Sequence, residues 1–284
     1  MPSSPPDALI EAARNLGRAK ALLITAGAGM GVDSGLPDFR GNEGFWNAYP
    51  PFRERGLSFS DLANPQWFSR DPELAWGFYG HRLNLYRATV PHRGFGVLRA
   101  WADALPHGAF VFTSNVDGQF QKAGFSDERI VECHGSIHHV QCTEPCADLI
   151  ESAASLQVTV DARFRAAQPL PRCSRCEALL RPNILMFGDA SWVDTRTLAE
   201  QQRFGKWLAA LPPEPGALAI VELGAGTAVP TVRLTSEHLM RRANASLVRI
   251  NVREPEAPHG AVALALGAED ALLRIDAALS RGDQ

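Results

Sequence analysis

The feature that most narrows the possible folds is a short apolar run, Ala21-Leu-Leu-Ile-Thr25, which stops at the small residues Ala26-Gly-Ala-Gly29. An apolar run without polar alternation predicts a strand buried on both faces, and the glycines predict a tight turn out of it. Comparable runs recur at 109–113, 129–132, 183–187, 218–221 and 247–250. Helical periodicity marks 7–19, 93–105, 196–210, 232–243 and 261–280 around and between them. Strands alternating with helices predict an α/β chain, with a Rossmann-like parallel sheet covered by helices on both faces.

Two segments break the alternation. Residues 42–90, rich in aromatics and arginine, predict a loop followed by a helix at 72–88. Residues 139–181 carry two close cysteine pairs and a helical stretch around 147–156. Both are expected as insertions that form a smaller lobe on a main domain built from 1–41, 91–138 and 182–284. The pairs, Cys142-x₃-Cys146 and Cys173-x₂-Cys176, are 26 residues apart. Two short-spaced thiol pairs outside a disulfide-rich scaffold suit a tetrahedral Cys₄ zinc site, and four thiolates leave no position for a metal-bound water, so the expected zinc is structural. Cys133, the fifth cysteine, reads as a buried strand residue.

Charge and hydropathy exclude other classes. A formal net charge of −3 supplies no basic field for nucleic acid. The segment Met1–Asp7 is neither basic nor apolar, unlike a signal peptide, and the apolar runs are too short to cross a bilayer. The expectation is a cytoplasmic protein with neither a nucleic-acid nor a membrane partner.

The glycine turn permits close backbone approach to a phosphate, although such turns also serve simple strand-to-helix packing. The residues after it are more specific, and the full string reads Gly27-Ala-Gly-Met-Gly-Val-Asp-Ser-Gly-Leu-Pro-Asp-Phe-Arg-Gly41. This string resembles the sirtuin cofactor loop. Further resemblances come in the family's order: Thr113-Ser-Asn-Val-Asp117, His134-Gly135, the two cysteine pairs, Arg181-Pro-Asn-Ile-Leu-Met-Phe-Gly188 and Arg249-Ile-Asn251. They span roughly residues 20 to 253.

The resemblance implies an NAD-dependent protein-lysine deacylase. In that reaction the acyl oxygen of an acyl-lysine substrate attacks the nicotinamide-bearing ribose, and nicotinamide leaves. His134 then takes a proton from a ribose hydroxyl as general base, a role that suits an imidazole. The products are free lysine and O-acyl-ADP-ribose. The resemblance also implies that Gly27, Ala28, Gly29, Asp38 and Gly224 line the cofactor site. Phe39 shields the reacting ribose, and Arg40 faces the phosphates. Asn115 orders the ribose or a water, beside Ser114. Val116 and Asp117 hold the carboxamide, and Asn251 contacts the adenine-side ribose. For Asp117 and Asn251 a turn-capping role is the competing reading.

Tyr79 and Arg82 lie three apart in the 72–88 segment and so share a helix face. A guanidinium fork and a phenol suit a carboxylate. In sirtuins that remove succinyl, malonyl or glutaryl groups, a Tyr-x-x-Arg pair in the corresponding helix binds the acyl carboxylate. The chain departs from the family pattern at Gly31 and Ser114, and Glu222-Leu-Gly-Ala-Gly-Thr-Ala-Val-Pro230 replaces a Gly-Thr-Ser loop. Glu222 is expected either on a ribose hydroxyl or as a solvated loop carboxylate. Two alternatives stay open: an ADP-ribosyltransferase or NAD glycohydrolase, and a non-catalytic NAD-sensing module.

Overall fold

The structure is a computed structural model that describes residues 5–37, 41–144, 146 and 149–282. Its strands are β1 (Ala21–Ala26), β2 (Ala109–Thr113), β3 (Ile130–Glu132), β4 (Gly135–Cys142), β5 (Ile150–Ser152), β6 (Leu180–Ile184), β7 (Leu218–Leu223), β8 (Ser246–Ile250) and β9 (Val262–Leu264). Six of them form one sheet in the order β3-β2-β1-β7-β8-β9, parallel throughout. The expected Rossmann-like sheet is therefore present, with helices on both faces.

The uniform apolarity of β1 is explained by what covers it. Leu22, Ile24 and Ala26 face one side, against helices Pro5–Arg18, Arg93–Ala104 and Ala268–Gly282 through Ala12, Leu98 and Leu272. Ala21 and Leu23 face the other, against helices Thr195–Ala209 and Thr231–Arg242 through Phe204, Trp207 and Val232. Each fully buried Leu or Ile here contributes about 1.5–3 kcal/mol relative to exposure. Outward alternation would have wasted one face, so the strand has none.

The remaining strands form an antiparallel sheet, β5-β4-β6, in the smaller lobe. This corrects three local expectations. The 183–187 run does not join the parallel sheet: β6 ends at Ile184 and pairs with β4. The helix expected around 147–156 is replaced in its described part by β5. The 261–280 stretch divides into β9 and the helix Ala268–Gly282. Short apolar runs do not reveal their partners, which decide whether a strand lies in one sheet or another. The boundaries expected at 138 and 182 fall inside β4 and β6 respectively.

The smaller lobe has its own core. Phe45, Tyr49, Phe52 and Phe78 pack together, and the same cluster includes Trp76, Tyr79, Tyr86, Cys142 and Cys173. The helix Pro72–Ala88 is fixed to the small sheet by Trp76, whose Nε1 donates to the Leu180 carbonyl at 2.8 Å. No helix among the described residues is long and apolar enough to cross a membrane.

Candidate active site

Strand order locates the site before any side chain does. The chain builds β1, β2 and β3 outward on one side, then returns to add β7, β8 and β9 on the other. The segments beyond the turns after β1 and β7 pass to opposite faces of the sheet, with Met30 on one and Val232 on the other, and such a switch point leaves a crevice at the carboxyl ends of the strands. A cavity of about 790 Å³ lies there. Its walls include Gly27 and Ala28 after β1, Ser114 to Asp117 after β2, His134 after β3 and Ala225 to Val229 after β7. Phe59, Tyr79, Arg82 and Tyr86 close it from the smaller lobe.

The two turns are interlocked. Gly27 N–H donates to the Leu223 carbonyl at 2.9 Å, and Gly29 N–H donates to the Gly224 carbonyl at 3.0 Å. Gly224 sits at φ +59°, and a Cβ there would collide with the backbone of Gly29. We expect Gly224→Ala to cost about 2–4 kcal/mol, from left-handed strain plus overpacking. A thermal midpoint equal to that of the unaltered protein would show that the turns tolerate separation.

His134 lies two residues past the end of β3 and immediately before β4, with its backbone carbonyl accepting from Leu185 N–H at 3.0 Å. The next residue explains the His-Gly dipeptide: Gly135 has φ +78°, and a Cβ would meet the Asn183 carbonyl where β4 passes β6. Burial lowers the His134 pKa, and a hydrogen bond to the Ser114 backbone only partly offsets this, so the imidazole is neutral at pH 7. Asn115 is held beneath the first turn, its Nδ2 donating to the Gly27 carbonyl at 3.0 Å. Asp117 is buried, which pushes its carboxyl up to about 6, and its Oδ1 accepts from Gln119 N–H at 3.0 Å. Thus Asp117 both caps a turn and faces the cavity.

The four paired cysteines converge at the far end of the small sheet. Their Sγ atoms all lie within 4.8 Å of one another, with Cys142–Cys176 at 3.5 Å and Cys146–Cys173 at 3.8 Å. A disulfide needs about 2.05 Å. Four sulfurs on a zinc ion at about 2.3 Å sit about 3.8 Å apart, so the set fits a tetrahedral zinc. Cys133 is separate and buried, and burial pushes its thiol up to about 12.

The profile of the Sir2 family matches residues 27–204. The chain belongs to the Sir2 family. An NAD-dependent protein deacylase of Aquifex aeolicus is 32% identical over 182 residues, covering 63% of this chain and 66% of the relative. The match thus spans just under two thirds of that relative's length. The mitochondrial NAD-dependent protein deacylase sirtuin-5 of Danio rerio is 32% identical over 201 residues, covering 65% of this chain and 62% of the relative. A crystal structure of a Sir2 homologue in complex with NAD superposes with a TM-score of 0.71 at 24% identity, covering 96% of this chain and 94% of that one.

In this Sir2 chain the expected residues do not all reach the cavity. Gly27, Ala28, Ser114, Asn115, Val116, Asp117, His134, Tyr79 and Arg82 line it. Gly29 and Gly224 support it from behind through the interlocked turns. Asn251, expected on a ribose, is buried elsewhere: its Nδ2 donates to the Ala225 carbonyl at 2.7 Å and its Oδ1 accepts from Arg253 and Glu254 N–H. It therefore holds the turns that form the wall. Asp38, Phe39 and Arg40 lie outside the described residues. Glu222 fits neither expectation; it is buried within β7 and paired with Arg249, Nε to Oε1 at 2.5 Å. Gly31 packs against Leu36.

Sequence reasoning passed over Tyr86, Phe59 and the Leu185–Phe187 segment, all of which line the cavity. Tyr86 had a signal, since it stands four residues after Arg82 and so on the same helix face. The 185–187 segment had none. It is positioned by a buried ion pair between Arg181 and Asp189, whose Oδ2 also accepts from Met186 N–H at 3.3 Å.

Proposed function

We propose that this chain is an NAD-dependent protein-lysine deacylase that removes acidic acyl groups (succinyl, malonyl or glutaryl) as well as acetyl. The observation that carries this reading is a juxtaposition. A neutral, half-buried imidazole at His134 and a buried guanidinium at Arg82 open on one cavity at the β1/β7 switch point. The protein deacylases of Aquifex aeolicus and Danio rerio support it by similarity.

NAD supplies an electrophilic ribose carbon when bound. The residues fit it: the interlocked glycine turns after β1 and β7 bring Gly27, Ala28 and Ala225 to the wall of a cavity that falls within the usual size for a small-molecule site. In this reading Asn115 and Ser114 order the ribose side, and Val116 and Asp117 hold a carboxamide. His134 accepts a hydroxyl proton at its free ring nitrogen. The apolar wall of Phe59, Val116 and Met186 excludes water. Acyl-lysine proteins are the substrates in this reading, the four cysteines carry structural zinc, and reduced thiols agree with a cytoplasmic location.

The decisive experiment is mass spectrometry of the purified protein with NAD and matched acetyl-, succinyl- and glutaryl-lysine peptides. O-acyl-ADP-ribose should form from each. In Arg82→Met, the succinyl-to-acetyl ratio of kcat/KM should fall by about ten- to a hundredfold, the worth of a charged hydrogen bond. Cleavage of NAD to ADP-ribose with every peptide intact would instead establish a glycohydrolase.

A further inference from the structure

The acyl end of the cavity holds more donors than the Tyr79/Arg82 pair. Arg82 lies in the helix Pro72–Ala88, is 5% exposed, and is surrounded by the rings of Phe59, Phe78, Tyr79 and Tyr86 at 5.3–5.8 Å. Its Nε and Nη2 both donate to the phenolic oxygen of Tyr86, at 3.0 and 2.9 Å. A phenol offers two acceptor positions and one O–H donor. With both acceptor positions occupied by the guanidinium, the Tyr86 O–H is left to donate. It has no acceptor among the described residues. The Tyr79 hydroxyl, in a side chain 1% exposed, has no hydrogen-bond partner among them either.

Two buried O–H donors without acceptors, on rings that flank one buried cation, are costly unless an acceptor arrives from outside. An anionic acceptor is favoured over a neutral one because the guanidinium charge withdraws electron density from Tyr86 and strengthens its O–H as a donor. We propose that Tyr86 is a second carboxylate-binding phenol of the acyl pocket, so that a terminal acyl carboxylate is held by Tyr79, Arg82 and Tyr86 together. Tyr86 acts in two ways: it fixes the guanidinium plane and presents its own O–H to the ligand. Its main-chain carbonyl accepts from Gln119 Nε2 at 3.1 Å, which ties this helical turn to the loop carrying Asp117. This inference rests on the acidic-acyl reading above.

The test compares steady-state kinetics on matched succinyl- and acetyl-lysine peptides for the unaltered protein, Arg82→Met and Tyr86→Phe. Tyr86→Phe should lower the succinyl-to-acetyl ratio of kcat/KM about tenfold, through the succinyl KM rather than kcat. An unchanged ratio, or a parallel rise in both KM values, would overturn the proposal and leave Tyr86 a packing residue. Should Tyr86→Phe fail to fold, 3-fluorotyrosine placed at 86 keeps the ring and hydroxyl but makes a stronger donor. The succinyl KM should then fall relative to the acetyl KM, and equal values overturn the proposal. If the unaltered protein shows no succinyl preference and Arg82→Met leaves the ratio alone, the acidic-acyl reading itself fails and this inference fails with it. If Arg82→Met shifts the ratio while both changes at 86 do not, only this inference fails.

Discussion

Removing zinc is expected to unfold the smaller lobe and abolish activity, even though the metal lies outside the catalytic cavity. The purified protein should carry one zinc per chain, and Cys173→Ser should carry almost none. Binding free energy at such sites is on the order of 10 kcal/mol, and in small lobes it is largely folding free energy. Here Cys142 and Cys173 belong to the same buried cluster as Trp76, Tyr79 and Tyr86, so loosening the thiols loosens the cavity wall that Tyr79 and Tyr86 form. Even a loss of about 5 kcal/mol lowers the melting temperature of a chain this size by about 10–20 °C. The check is metal analysis with thermal unfolding, with and without a chelator. A melting curve indifferent to chelation would show that the lobe stands on its apolar core alone.

The second large effect is at His134. His134→Ala should reduce kcat by about 10²–10⁴, the usual contribution of a positioned base. The pH profile carries a sign. Burial lowers the folded pKa of His134 below its ordinary value near 6.5. In the proposed reaction the base works in its neutral form, so kcat/KM should be flat above pH 6.5 and decline only as pH falls through the lowered value. Stability moves the same way. His81, His92, His138 and His139 are also depressed by burial, so the fold gains nothing from protonating them. Their contribution is complete above the unfolded value and is lost as pH falls through the folded ones. Rates must therefore be read where thermal unfolding shows the protein intact. Retention of full activity in His134→Ala would remove the general base from the reaction.

Much of the site was legible because its chemistry is local. The two thiol pairs, the glycine turn after an apolar strand and the His-Gly dipeptide each state a requirement in a few adjacent residues. Gly135 must lack a side chain because β4 passes β6 there, and Gly224 because it meets Gly29. The errors fell where partners are remote. Glu222 is a carboxylate in a loop-like string by sequence, yet Arg249, one strand away, converts it into a buried ion pair. Asn251 has a side chain suited to a ribose or a turn, and its bond to the Ala225 carbonyl, a partner 26 residues away, was not legible in the sequence.

The order of residues along the chain was enough for the class of fold and the kinds of chemistry: period and apolar runs imply a covered parallel sheet, and thiol spacing implies a metal. Folding settled the rest, namely the allegiance of β4, β5 and β6, the turn-capping use of Asn251, and the meeting of Arg82 with Tyr86 at the end of a cavity shared with His134. The difference is one of range. Backbone conformation and ligand spacing are dictated over a few residues, whereas strand partnership and the burial of a charge depend on groups that only the folded chain brings within a few ångströms.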